Sequence, residues 1–185
     1  MKITATKLAL LVGCSICFLG TAALAQERQH EPAPTIPAQI VALDECDPAT
    51  FNAAIGPDFC KNVALGASTT FNDLFAEAQA GTPDPGWDFE PDVLHIHKGQ
   101  PLIVVDQGGE PHTFTEVKRF GGGFINDLNN GEETVPECAG GFKNLDVAKT
   151  RILQGSQLQV TGLSKGEHKF ECCIHPWMRV TVDVK

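Results

Sequence analysis

The chain has 185 residues, 42% of them hydrophobic, and its 23 acidic side chains against 14 basic ones give a formal charge of −9. That length suffices for one domain with its own core, while the acidic balance excludes the phosphate neutralisation on which nucleic-acid binding depends. An acidic surface of this kind serves solubility or a basic protein partner.

Residues 1–25 read as a secretory signal peptide. Lys2 and Lys7 make a short positive start, Leu8 to Leu24 is almost uninterrupted apolar or small, and Ala23-Leu24-Ala25 offers a small-x-small cleavage site. Taking 25 from 185 leaves 160 residues from Gln26 onward, and Lys+Arg fall from 14 to 12 against 23 acids, so the charge moves from −9 to −11. Two other readings stay open: an uncleaved membrane anchor, and lipidation at Cys14 within Leu11-Val12-Gly13-Cys14. The expected location is the periplasm, without stable membrane insertion after cleavage. Five cysteines then remain, Cys46, Cys60, Cys138, Cys172 and Cys173. An odd number in an oxidising compartment leaves a sulfur outside intramolecular disulfides, and a metal is one way to occupy it.

Residues 26–86 are expected to form an N-terminal extension with one helix. Gln26 to Gln39, with Pro32, Pro34 and Pro37, reads as a flexible lead-in carrying a solvated His30, and Ile40 to Gly66 reads as irregular. The spacing predicts a helix over 70–80, capped by Thr70, with Phe71, Leu74, Phe75 and Ala78 on one face and Gly81 as its stop. Pro83-Asp84-Pro85-Gly86 is a turn.

Residues 87–185 are expected to form the functional domain. Val93 to His97 and Leu102 to Val105 read as strands, as do His168 to Cys172 and Arg179 to Val184, where apolar residues alternate. Strands without intervening helices imply an all-β sandwich or barrel. Between them, Gly121 to Lys143 is rich in glycine, asparagine and acid and reads as a long inserted loop.

The residues that carry chemistry are concentrated in Cys172-Cys173-Ile174-His175-Pro176-Trp177-Met178, with His112 following Pro111 after another strand. A thiolate, two imidazoles and a thioether are the donors of a type 1 copper site, since Cu(I) favours soft sulfur and Cu(II) favours imidazole. Zinc would accept Cys and two His, but gains nothing from Met178. Cys172 competes with Cys173 for the metal; Cys172 shares strand parity with Phe170, so if that ring enters the core the Cys172 sulfur follows it.

With Cys172, His175 and Met178 at Cys-x-x-His-x-x-Met spacing, followed by Arg179, and with Gly99, Pro111 and His112 upstream, the chain resembles the cupredoxins, closest to their amicyanin-like short-loop members. The resemblance covers roughly residues 87–185. It implies a cupredoxin-like Greek-key β-sandwich, one copper ion bound by His112, Cys172, His175 and Met178, and single-electron transfer without enzymatic activity. It also implies that His175 reaches the metal from a surface loop as the electron's exit, with Pro176 and Trp177 as an apolar collar where a redox protein partner, a basic one in view of the acidic charge, docks. Asp106 stands where the family carries an asparagine that ties the two ligand loops together; an acid there is protonated, turned outward or electrostatically costly.

With Cys172 assigned to copper, four cysteines allow three pairings. Cys46–Cys60 with Cys138–Cys173 is the expected one, the second bond pinning the inserted loop to the copper loop, and crossed pairings or unpaired thiols are its alternatives. His95 and His97 are expected on one strand face, as exposed side chains or as a surface metal or partner site. His168 is expected to be packed or hydrogen-bonded, and Glu110 to be a solvated loop charge. The alternative function is a periplasmic copper carrier or resistance protein with no electron-transfer role.

Overall fold

A computed structural model describes residues 36–61 and 69–185. The leader, Cys14 and His30 lie outside them, and no helix among the described residues is long and apolar enough to cross a membrane.

Strand β1 spans Ala38–Leu43, with Ile40 and Ala42 buried. Helix α1, Pro48–Ala54, is started by the Asp47 carboxylate, which accepts from the N–H groups of Ala49 and Thr50, and by Pro48 in its first turn. Helix α2, Phe71–Ala80, is the one expected: the Thr70 side chain accepts from the Asp73 N–H, Leu74 and Ala78 are buried, and Gly81 ends it at φ 72°, where a side chain is disfavoured. There follow β2 (Asp88–Glu90), β3 (Val93–Ile96), β4 (Leu102–Asp106), β5 (His112–Thr113), β6 (Thr115–Val117), a short α3 (Leu145–Lys149), β7 (Arg151–Ile152), β8 (Gln157–Val160), β9 (Gly166–Glu171) and β10 (Arg179–Val184).

The strands make two four-stranded sheets in the orders β2-β1-β4-β8 and β3-β10-β9-β6, with β5 and β7 paired beside them. Inward residues of both sheets share one core: Ile40, Phe89, Leu102 and Val104 from the first, Ile96, Phe170, Val180 and Val182 from the second. This is the expected β-sandwich, with helices added before the second strand and a loop inserted between β6 and α3. Period-two alternation builds it, most plainly in β10, where Val180, Val182 and Val184 are buried and their neighbours are half-exposed.

Two expectations need correction. Ala38, Gln39 and the residues after them are not lead-in or irregular chain but a strand, paired parallel to β4 and antiparallel to β2. Consequently residue 87 marks no break in the packing, because β1 lies inside the first sheet and supplies core residues. A six-residue strand after a proline-rich stretch has little periodicity of its own, and the partners on either side decide its conformation.

The topology gathers chain at one end. Since β1 and β4 are parallel with Ala42 opposite Asp106, the segments leaving both strands emerge together. The turn from β9 to β10 opens at the end where Thr115 of β6 pairs with Glu171, placing residues 172–178 beside 112–114. Phe114, 1% exposed, fixes this end from inside, stacked on Phe170 at 4.3 Å and edge-on to Phe89 at 5.3 Å. Phe114→Ala should therefore cost about 3–5 kcal/mol of stability, read by denaturant unfolding with disulfides intact.

Candidate metal centre

The two adjacent cysteines face different cores. Phe170 and Cys172 lie in the main cluster, whereas Cys173 lies in a second one with Val117, Val135, Cys138 and Val147. Cys173 is bonded to Cys138, and Cys46 to Cys60, as expected, leaving Cys172 as the free, buried cysteine among the described residues.

Around Cys172 Sγ stand His112 Nδ1 and His175 Nδ1, each at 3.9 Å, and the three donors form a fully buried group. First-row metal bonds of about 2.3 Å to sulfur and about 2.0 Å to nitrogen, splayed trigonally, separate sulfur from nitrogen by about 3.7 Å. The spacing therefore fits one ion among the three. The sulfur also accepts from the Thr113 N–H at 3.4 Å and the His175 N–H at 3.5 Å. Met178 is fully buried; its N–H donates to the His175 carbonyl, and its carbonyl accepts from Cys172, closing the loop on itself.

The electrostatics are strongly coupled. Burial opposes ionisation of Cys172, yet the two imidazoles outweigh it and hold the thiol well below its usual range. Burial likewise opposes charge on both histidines, but Asp44 and the Cys172 sulfur raise His112 well above the imidazole range, and Cys172 with Glu110 brings His175 up to about 9. The pocket thus favours a thiolate, the form a metal requires.

Several residues that sequence reasoning passed over complete the site. Asp44, just beyond β1, places Oδ2 2.9 Å from His112 Nε2 and accepts from the N–H groups of Cys46, Gly109 and Glu110. Thr113 ties the ligand loops together, its Oγ1 accepting from the Cys173 N–H at 2.7 Å. Trp87, 1% exposed and stacked on Phe51 of α1, packs against His175 with centroids 6.3 Å apart. Asp47-Pro48 is a legible helix start that could have revealed α1; nothing local marks Asp44 or Thr113.

Two further expectations are corrected here. Glu110 is 1% exposed rather than solvated, because Asp44 holds its N–H and the Gly109 carbonyl accepts from Lys61, drawing the loop beneath the N-terminal segment. His175 is 2% exposed rather than at the surface, closed in by Trp87, Glu110 and Trp177. Of the alternatives left open for Asp106, burial excludes the outward-turned one; its Oδ1 accepts from the Gly108 N–H. His95 and His97 are exposed, His95 beside Asp183 at 3.3 Å, and His168 is hydrogen-bonded to Glu116 and the Ser164 carbonyl.

No family model and no curated protein matches the sequence. Among solved structures, the chain is similar to a purple cupredoxin from Nitrosopumilus maritimus, at 14% identity over 80% of this chain and 99% of that one, with a TM-score of 0.40. It is also similar to a Cu(I) methionine-to-alanine variant of amicyanin, at 17% identity over 53% of this chain and 73% of that one, TM-score 0.34. A reduced proline-to-phenylalanine variant of amicyanin gives 18%, the same coverage and 0.34. The chain's own features define the site: a buried His, Cys, His group stands at one end of a β-sandwich, and the donor arrangement matches a mononuclear type 1 copper site.

Two substitutions test this construction. A Cβ at Gly108 would fall 1.8 Å from Asp44 Oδ2 and 2.9 Å from the Asp44 backbone nitrogen. Gly108→Ala must push Asp44 off His112, and urea unfolding should show a loss at or above the about 1–3 kcal/mol typical of overpacking. Burial, with Asp44 and Cys172 adding to it against the opposing charge of His112, pushes Asp106 up to about 7 from 3.8. The folded chain therefore holds this proton where the unfolded chain has released it, and stability falls as pH rises through that window. Asp106→Asn should make the metal-free protein more stable at about pH 8, by on the order of 2 kcal/mol, with the gain vanishing toward about pH 4; a gain equal at both would contradict the assignment.

Proposed function

We propose that this protein is a periplasmic one-electron carrier whose single type 1 copper is held by His112, Cys172, His175 and Met178. The observation that carries the reading is the buried thiolate with an imidazole nitrogen 3.9 Å away on either side. Bound copper would supply the electron-accepting and electron-donating centre, cycling between Cu(II) and Cu(I).

The chain's part is to keep the donors still. The Cys138–Cys173 bond, the Thr113 hydrogen bond to Cys173 and the Phe124 N–H on the Cys173 carbonyl fix the loop from the side away from the metal. Arg179 fixes its other end, donating to the Pro176 carbonyl at 2.6 Å and the Gly121 carbonyl at 3.1 Å. Donors that cannot move keep one geometry in both oxidation states, which favours fast transfer. The Cys-x-x-His-x-x-Met spacing supports an amicyanin-like short-loop type. The leader and the two disulfides support export to the periplasm.

A partner would meet the face that carries Trp177, a half-buried ring whose centroid is 5.5 Å from that of His175 and which lines a groove with Ala78, Pro83 and Leu128. The proposed docking face therefore lies beside Trp177 and Pro176, its support being that Trp177 rather than His175 reaches solvent. The enclosure of all four donors favours electron transfer over a copper carrier, which must open its site to hand the ion on.

Cys172→Ala should abolish the intense visible thiolate-to-copper absorption of the Cu(II) protein, and the wild type should show a reversible one-electron couple with fast self-exchange. A variant that keeps the band would sink the ligand assignment; slow exchange with ready copper release would favour the carrier.

A further inference from the structure

Both histidines turn Nδ1 toward the sulfur, which leaves each Nε2 facing away from it at a fully buried position. Each Nε2 meets a carboxylate that comes from outside the Cys172 to Met178 loop. His112 Nε2 is 2.9 Å from Asp44 Oδ2, and His175 Nε2 is 3.1 Å from Glu110 Oε2, with all four side chains at most 3% exposed.

The two carboxylates differ in what else they do. Asp44 accepts three backbone N–H groups and would be held in place without His112. Glu110 Oε2 has no aligned hydrogen bond, and its one ion-pair neighbour among the described residues is His175. A buried carboxylate costs several kcal/mol unless it is paired. The pairing available to this one is the imidazole at the metal site.

We propose that Glu110 is a positioning residue for the copper ligand His175, fixing the ring with Nδ1 toward Cys172 and favouring Cu(II) over Cu(I), with Asp44 acting in the same sense through His112. The inference rests on the copper reading above. A carboxylate facing the outer nitrogen of a ligating imidazole sets its tautomer and raises its basicity. The same negative charge, close to the ion in a medium of low dielectric, opposes the arrival of an electron. Both effects lower the reduction potential.

The test is Glu110→Gln in the copper-loaded full chain, since glutamine keeps the shape and an acceptor oxygen but removes the charge. The ratio of Cu(II) to Cu(I) affinity should fall about tenfold, read by voltammetry as a rise of about 59 mV for a one-electron couple, with the visible absorption retained. Glu110→Asp keeps the charge farther from the ring and should give a smaller rise. If the glutamine variant does not fold, the aspartate variant decides: a rise supports the proposal, and an unchanged or lowered potential overturns it. A folded, copper-loaded glutamine variant with the wild-type potential also overturns it while leaving the copper site standing, whereas a wild-type chain that takes up no copper removes both readings.

Discussion

A thiolate and two imidazoles gathered beyond the reach of water must be satisfied on every side, and most of what surrounds them follows from that requirement. Leaving one partner of a buried charge group unpaired costs about 3–5 kcal/mol, a large part of a small domain's stability. The sulfur is met by two imidazoles and two N–H groups. Each imidazole is met in turn by a carboxylate, and Asp44 is met by three N–H groups. Gly108 is small because those N–H groups can reach Asp44 only if the backbone passes against its side chain.

This chain of dependence runs outward into the first part of the sequence. Asp44 is available because β1 ends beside β4, and β1 is held there by pairing on both edges. The Cys46–Cys60 bond closes the segment that follows, and its α1 offers Phe51 to Trp87, which offers its own ring to His175. The inserted loop plays the matching part on the other side. It is joined to Cys173 by a disulfide spanning 35 positions, a constraint worth on the order of 4 kcal/mol in the chain-entropy account. Buried Glu171 also receives the Gly121 N–H from that loop. Additions on both sides of the sandwich thus converge on a seven-residue loop.

What the sequence made legible was whatever is specified locally. Helix α2 could be read because cap, apolar spacing and terminal glycine coincide within twelve residues from Thr70 to Gly81. The division of labour between Cys172 and Cys173 followed from strand parity with Phe170; it left three disulfide pairings, among which the short Cys46–Cys60 loop and the return of the inserted loop toward Cys172 favoured the one observed. Strand β1 could not be read, because Ile40 and Ala42 gain their burial from strands distant in sequence. Glu110 lies between glycine and proline on what looks like an exposed turn, and its burial is imposed by Asp44 and by the Lys61 N–H on the Gly109 carbonyl. Local pattern reports which donors exist; the side chains behind them depend on tertiary pairing that leaves no mark nearby.

The burial of His175 changes how the site must communicate. A histidine at the surface can pass an electron through its own exposed edge, but here that edge faces Glu110, and the ring lies between Trp87 and Trp177. Of the two indoles, Trp87 is 1% exposed and is covered in turn by Phe51, while Trp177 is half-buried. Sealing the outer nitrogen keeps water and competing ligands from it, which protects the geometry of the donors. On the proposed function, the same sealing would move contact with a partner from the ligand to its neighbour, so that the side chain proposed to tune the site and the side chain proposed to meet the partner are different residues on different loops.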